Sequence, residues 1–260
     1  VDDFIAAAEA AADAAGVAIR PWFRTGLAAD LKGDDSPVTV ADREAEAAMR
    51  AVLEARFPDH AILGEEGGED RAGARFRWVL DPIDGTRAFI TGRPQFGTLV
   101  ALLDGDVPVL GMIDQPITGE RWLGVAGRPT TFRGAYGQAG CRPCVALGDA
   151  ELSCTSPAIF TEAERPRWDN LAGQVRRVSW GGDCYAYGLL ALGQIDVVAE
   201  ATLKIWDWAA LVPVIQGAGG SITDWAGQAL RPGGDGTVLA LGDKTLLPLA
   251  LDALKDTLCA

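Results

Sequence analysis

Trp78-Val79-Leu80-Asp81-Pro82-Ile83-Asp84-Gly85-Thr86 is the stretch on which the fold turns. The apolar run 76–80 reads as a buried strand. Asp81-Pro82 closes it, because proline cannot donate to a continuing ladder and forces a turn. With Pro82 fixing the bend, Asp81 and Asp84 can face one point, and the Ile83 carbonyl is free to serve as a neutral oxygen ligand. Gly85 lets the backbone approach an anion, and the Gly85 and Thr86 N–H groups can form a small phosphate nest. Alone, the D-x-x-D-G pattern also suits an acidic turn that merely caps structure.

More acids fall at comparable places. Glu65 and Glu66 follow the short apolar strand 61–64, and Asp207 opens a helix between Trp206 and Trp208. Carboxylates clustered at strand ends repel one another and are costly to desolvate unless paired or bound to cations. Hard oxygen donors in irregular loops suit Mg²⁺, with Mn²⁺ an acceptable substitute.

The chain has 260 residues, with 36 Asp+Glu against 23 Lys+Arg and a formal net charge of −13. Such a balance, without a Lys/Arg cluster, excludes nucleic acid as a partner. An anionic substrate would need imported positive charge. No apolar run approaches the roughly 18–20 residues that span a bilayer, so no membrane partner is expected. The acidic start Val1-Asp2-Asp3 lacks a signal-peptide pattern, and five cysteines is an odd count; together they suggest a reducing, cytoplasmic setting. Cys141 and Cys144 form a C-x-x-C without a second pair, so two small buried residues is a better reading than a zinc site. The single histidine, His60, follows Phe57-Pro58-Asp59 and reads as a surface loop residue. Chemistry must therefore rest on carboxylates.

Ile5, Ala8, Ala12, Ala15 and Ile19 form a helical stripe. Thr39-Val40-Ala41-Asp42 is a capping box opening a second helix that stops at Pro58. Asp104-Gly105-Asp106 joins strands 96–103 and 107–113 as a hairpin. Beyond residue 145 short strands alternate with helices: 185–192, a helix over 207–218 bent by Pro213, and a last helix over 246–258. This is an α/β (α+β) layered sandwich, with an N-terminal half, 1–145, carrying most candidate ligands and a C-terminal half, 146–260, closing the site.

Gly64-Glu65-Glu66, then Trp78–Thr86, then Trp206-Asp207 followed by Gly217-Ala218-Gly219-Gly220, resemble the inositol monophosphatase-like superfamily in order and rough spacing. The resemblance spans nearly the whole chain. Asp84–Ile90, Gln115-Pro116, Glu120-Arg121-Trp122, Arg142-Pro143-Cys144 and Gly182–Tyr187 are most similar to its histidinol-phosphate phosphatase branch. The resemblance implies a five-layer αβαβα, sugar-phosphatase-like fold and a homodimer.

It also implies roles. Glu65, Asp81 and the Ile83 carbonyl would bind one Mg²⁺, and Asp81, Asp84 and Asp207 a second, with a weaker third ion near Glu65. Thr86 would position the attacking water, with Glu65 as base and Asp42 orienting the Thr86 hydroxyl. Gly85 and Thr86 amides would hold phosphate oxygens, and Lys32 roughly matches a mobile-loop lysine. Asp183 and Glu200 would face a leaving group, where a carboxylate pairs well with the ammonium of histidinol; Asp183 could instead be a loop Asx-turn residue. Arg87 could contact phosphate or a neighbouring subunit, or sit in a surface ion pair. Trp122, Trp180 and Trp206 are candidate pocket walls. The expected activity is hydrolysis of the phosphate monoester L-histidinol phosphate. Inositol-1-phosphate or broad small-molecule hydrolysis is the alternative, and a catalytically silent metal-binding homologue is the remaining one.

Overall fold

A computed structural model of the chain describes residues 1–31 and 37–255. The predicted Lys32, most of the 30–37 loop and Cys259 lie outside them. The N-terminal half runs α1 (Asp2–Ile19), β1 (Asp30–Leu31), β2 (Pro37–Val38), α2 (Val40–Arg56), β3 (Ala61–Gly64), β4 (Gly68–Asp70), β5 (Phe76–Asp84), α3 (Thr86–Ile90), β6 (Gly97–Asp104), β7 (Val107–Gln115), β8 (Glu120–Val125) and β9 (Thr131–Arg133). There follow β10 (Glu151–Cys154), α4 (Glu164–Ala172), β11 (Arg177–Trp180), α5 (Asp183–Ala191), β12 (Val197–Glu200), α6 (Ile205–Trp208), α7 (Leu211–Gly217), β13 (Ser221–Thr223), β14 (Val238–Leu241) and α8 (Leu247–Ala253).

Strand periodicity explains the layers. Successive side chains of a strand point to opposite faces. Trp78, Leu80, Val100 and Leu102 therefore bury against the alanine-rich faces of α1 and α2. Their neighbours Val79, Leu99, Ala101 and Leu103 bury on the other side against α5 and α7. The seven-stranded sheet, in order β4-β3-β5-β6-β7-β8-β9, is thus covered on both faces. The five-stranded sheet, β11-β10-β12-β14-β13, repeats the device. Val198 and Ala240 face α5 and α7, while Val197, Ala199, Leu239 and Leu241 face α4 and α8. The result is the expected αβαβα sandwich. Among the described residues, no helix is long and apolar enough to cross a membrane.

Four local expectations change. Pro82 does not end its strand: β5 stays paired with β6 through Asp84, with Asp81 opposite Leu99, Asp84 opposite Gly97 and a register shift between. The bulge absorbs the missing proline N–H, and the Thr98 hydroxyl takes the Pro82 carbonyl at 2.8 Å. The helix expected over 207–218 is broken into α6 and α7. Pro213 falls in the first turn of α7, where its absent N–H would have had no partner anyway. His60 is only partly exposed: its ring stacks on Phe57 at 4.7 Å and borders Phe4, Phe76 and Trp78, and burial lowers its pKa. The last helix ends at Ala253.

Candidate active site

The site gathers where β3 and β5 end, beneath the first turns of α2, α5 and α6. The bulge in β5 turns Asp81 and Asp84 to the same side, and Asp207 approaches from α6. Carboxylate oxygens of these three lie within 4.8 Å of one another. They are the one convergent set of three or more metal-donor side chains among the described residues. Each is held by backbone. Asp81 Oδ1 accepts from Ile83 N–H at 3.1 Å. Asp84 Oδ2 accepts from Cys184 N–H at 2.5 Å. Asp207 Oδ2 accepts from Lys204 N–H at 2.6 Å, capping its own short helix.

Among the described residues, no side-chain cation is among the groups acting most strongly on Asp81. The groups acting most strongly on Asp81, after burial itself, are Glu65, Asp84, Asp207 and Asp42, all carboxylates, and its pKa lies well above the ordinary value. Burial first and Asp207 second push Asp84 up to about 8, against the pull of the Cys184 N–H. Burial pushes Asp207 up to about 7, opposed mainly by the Lys204 N–H. An all-oxygen, strongly self-repelling set is what a hard divalent cation relieves. The residues present thus fit Mg²⁺.

Beside the cluster, the Thr86 hydroxyl lies 3.1 Å from the Ile83 carbonyl and 3.4 Å from Asp42 Oδ1. Asp42 is itself fixed, its Oδ2 accepting from the Thr39 N–H at 2.8 Å and hydroxyl at 2.6 Å in the predicted capping box. Glu65 acts electrostatically on Asp42, Asp81 and Asp207, which places it among them. Gly85 has φ +90°, and a Cβ there would sit 3.1 Å from the Asp183 Cγ, the Gln95 carbonyl and Phe96.

A cleft of about 280 Å³ opens over these groups and continues past them. It brings Glu65, Asp84, Gly85, Thr86, Arg87, Asp183, Glu200 and Asp207 together. Asp183 begins α5 in a left-handed conformation, φ +44°. Burial, then Asp84 and Glu200, push its pKa to about 8, while Arg87 draws it down. Glu200 is 3% exposed. Its Oε1 accepts from Thr155 N–H at 2.6 Å and its Oε2 from the Tyr187 hydroxyl at 2.9 Å. The carboxylate is therefore locked before any substrate arrives.

None of the three candidate tryptophans lines this cleft. Trp122 is core, against Phe132 and Tyr185. Trp180 packs on Trp168. Trp206 lines a separate cavity of about 670 Å³ that meets the cleft at Thr202 and Leu203. Cys141 and Cys144 are free thiols outside the donor cluster. Sequence reasoning missed Thr155, whose side chain carries no motif, and the role of Tyr187, which closes the Gly182–Tyr187 stretch. It also missed Glu46, whose one signal was its place one helical turn after Asp42.

Residues 1–257 match the inositol monophosphatase family. The bifunctional phosphatase IMPL2, chloroplastic, of Arabidopsis thaliana is 45% identical over 98% of this chain and 76% of its own length. A histidinol-phosphatase of Chlorobaculum parvum is 36% identical over 88% of each chain. The structure of an inositol monophosphatase from Zymomonas mobilis superposes with a TM-score of 0.89, at 50% identity, covering 97% of this chain and 98% of that one. The chain belongs to the inositol monophosphatase family of phosphatases.

Proposed function

We propose that the protein is a Mg²⁺-dependent phosphomonoesterase that hydrolyses L-histidinol phosphate to L-histidinol and phosphate, a step of histidine biosynthesis. The observation that carries the substrate is the acidity of the cleft beyond the metal cluster. Asp183 and Glu200 line it in addition to Asp84 and Asp207, and a leaving group bearing an ammonium is the natural partner for them. The name of the Chlorobaculum relative points the same way.

Mg²⁺, two or three ions held by Glu65, Asp81, the Ile83 carbonyl, Asp84 and Asp207, would supply the positive charge that a phosphate and an attacking water require. The chain's own groups do the rest. The Thr86 hydroxyl has one proton and two acceptors beside it, the Ile83 carbonyl and Asp42. It donates to one of them, and its lone pairs are left to accept a water proton and orient that water. Glu65 takes the proton lost on attack. Gly85 and Thr86 N–H groups hold phosphate oxygens, with Arg87 at the rim. Asp183 and Glu200 hold the leaving group, and no protein nucleophile is needed. The free thiols among the described cysteines fit a reducing, cytoplasmic setting. A homodimer is expected from the family resemblance.

The test is phosphate release from histidinol phosphate, inositol-1-phosphate and an adenosine bisphosphate, each with Mg²⁺ and with EDTA. The proposal predicts the highest kcat/KM for histidinol phosphate and loss of all turnover in EDTA. Faster turnover of inositol-1-phosphate would favour the second reading, which the Zymomonas structure supports at 50% identity. No Mg²⁺-dependent release from any substrate would mean a silent homologue.

A further inference from the structure

Glu46 lies in the middle of α2, one turn beyond Asp42, yet it is 2% exposed. A mid-helix glutamate is ordinarily a solvated surface residue. Here its carboxylate reaches into the turn that carries Glu65. Oε2 accepts from the Glu66 N–H at 2.7 Å, and Oε1 accepts from the Gly67 N–H at 2.9 Å. Arg50, a further turn along the helix, donates from Nε to Oε1 at 2.7 Å. Arg50 also grips β4, through the Gly68 carbonyl at 2.5 Å and Asp70 at 2.8 Å. The Glu65 N–H itself donates to the Leu80 carbonyl at 3.2 Å, immediately before Asp81.

Three consecutive N–H groups, of residues 65, 66 and 67, are thus fixed, one by the metal-cluster strand and two by a single buried carboxylate. The turn closes so tightly on that carboxylate that a Cβ at Gly64 would overlap it. Asp42, Glu46 and Arg50, at intervals of four, lie along one face of α2. The first holds Thr86 and the second holds the backbone of Glu65's turn.

We infer that Glu46 is a positioning residue for the metal site: it sets the turn from which Glu65 reaches the Asp81–Asp84–Asp207 cluster. The inference rests on the proposed role of Glu65 as a ligand, and it adds a residue that makes no contact with metal or substrate. Groups that orient a ligand in this way typically contribute about 10–100-fold to metal affinity.

The experiment is calorimetric titration of Mg²⁺ into the full-length, metal-stripped wild type, Glu46→Gln, Glu65→Gln and Arg50→Met, with melting temperatures in EDTA alongside. In Glu46→Gln the amide keeps one acceptor but turns an NH₂ toward the other N–H, so the turn loses half its anchorage. Its Mg²⁺ Kd is expected to rise about tenfold, and its kcat to recover as Mg²⁺ is raised, with KM for substrate unchanged. Arg50→Met leaves both turn hydrogen bonds in place; it is expected to lower the melting temperature while leaving the Kd within about twofold. If Glu65→Gln leaves the Kd unchanged, the ligand role of Glu65 fails and takes the inference with it. If Glu65→Gln weakens binding and Glu46→Gln does not, the inference alone is overturned. Equal rises in Glu46→Gln and Arg50→Met would also overturn it, reducing Glu46 to general support of the fold.

Discussion

Asp84→Asn should make the metal-free protein more stable while abolishing its turnover, and the gain should grow with pH. Asp84 is held up to about 8 by burial and by Asp207. In the unfolded chain it titrates near 3.8. Between these values the folded state keeps a proton that the unfolded chain has lost. Stability therefore falls as pH rises from about 4 to about 8, and is flat above. A shift of that size corresponds to about 6 kcal/mol against the charged form at high pH. Asn still pays for burying a polar amide, and part of the penalty is shared with Asp207, so about 3 kcal/mol is the expected gain at pH 8.5. For a chain of this length that raises Tm by about 6–12 °C. Near pH 5 the solution is only about one pH unit above the unfolded pKa, so the gain should shrink to about 1 kcal/mol or less. Thermal unfolding of both proteins in EDTA at the two pH values reads this directly. Added Mg²⁺ should reverse the order, by stabilising the wild type alone. An Asn variant no more stable than wild type at pH 8.5, or a gain independent of pH, would refute the picture of a self-repelling cluster. Near-normal turnover in that variant would sink the assignment of Asp84 to the metal.

Two other substitutions probe the cleft. Glu200→Gln should cost histidinol phosphate about 10–100-fold in kcat/KM, through loss of a charge-assisted hydrogen bond, and inositol-1-phosphate about tenfold or less; equal losses would argue against ammonium pairing. Gly85→Ala forces a Cβ into a φ of +90° and to 3.1 Å from Asp183, Gln95 and Phe96; it should cost about 1–3 kcal/mol in stability, seen as a Tm lowered by several degrees, and most of the turnover. A variant melting and turning over like wild type would show that the close packing around Gly85 does not matter.

The layer order was legible in the sequence because both sheets are covered on both faces. Their strands read as continuous apolar runs, and the helices between them as stripes. The site was legible where a motif is local: Asp81, Ile83 and Asp84 lie on one bulge, Gly85 and Thr86 follow directly at the start of α3, and Asp42 caps its own helix. What stayed hidden needs contacts between distant segments. The pairing of Asp84 with Gly97 across the bulge depends on β6, which is why Pro82 looked like a terminator. His60 looked exposed because its four aromatic neighbours come from two different elements, α1 and β5, and the turn after α2. Glu46, Thr155 and Tyr187 reach the site through residues 13 to 45 positions away, and local spacing does not reveal those partners. Trp206 was expected to wall the site and instead lines the neighbouring cavity.

A net charge of −13 and a cleft lined by carboxylates make the anion the hardest part of the account. The most direct test is calorimetric titration of inorganic phosphate into the wild-type protein, once with saturating Mg²⁺ and once in EDTA. The account predicts phosphate binding with Mg²⁺ and none measurable in EDTA, because the metal supplies the positive charge that the chain does not. Equal binding in the two conditions would contradict it.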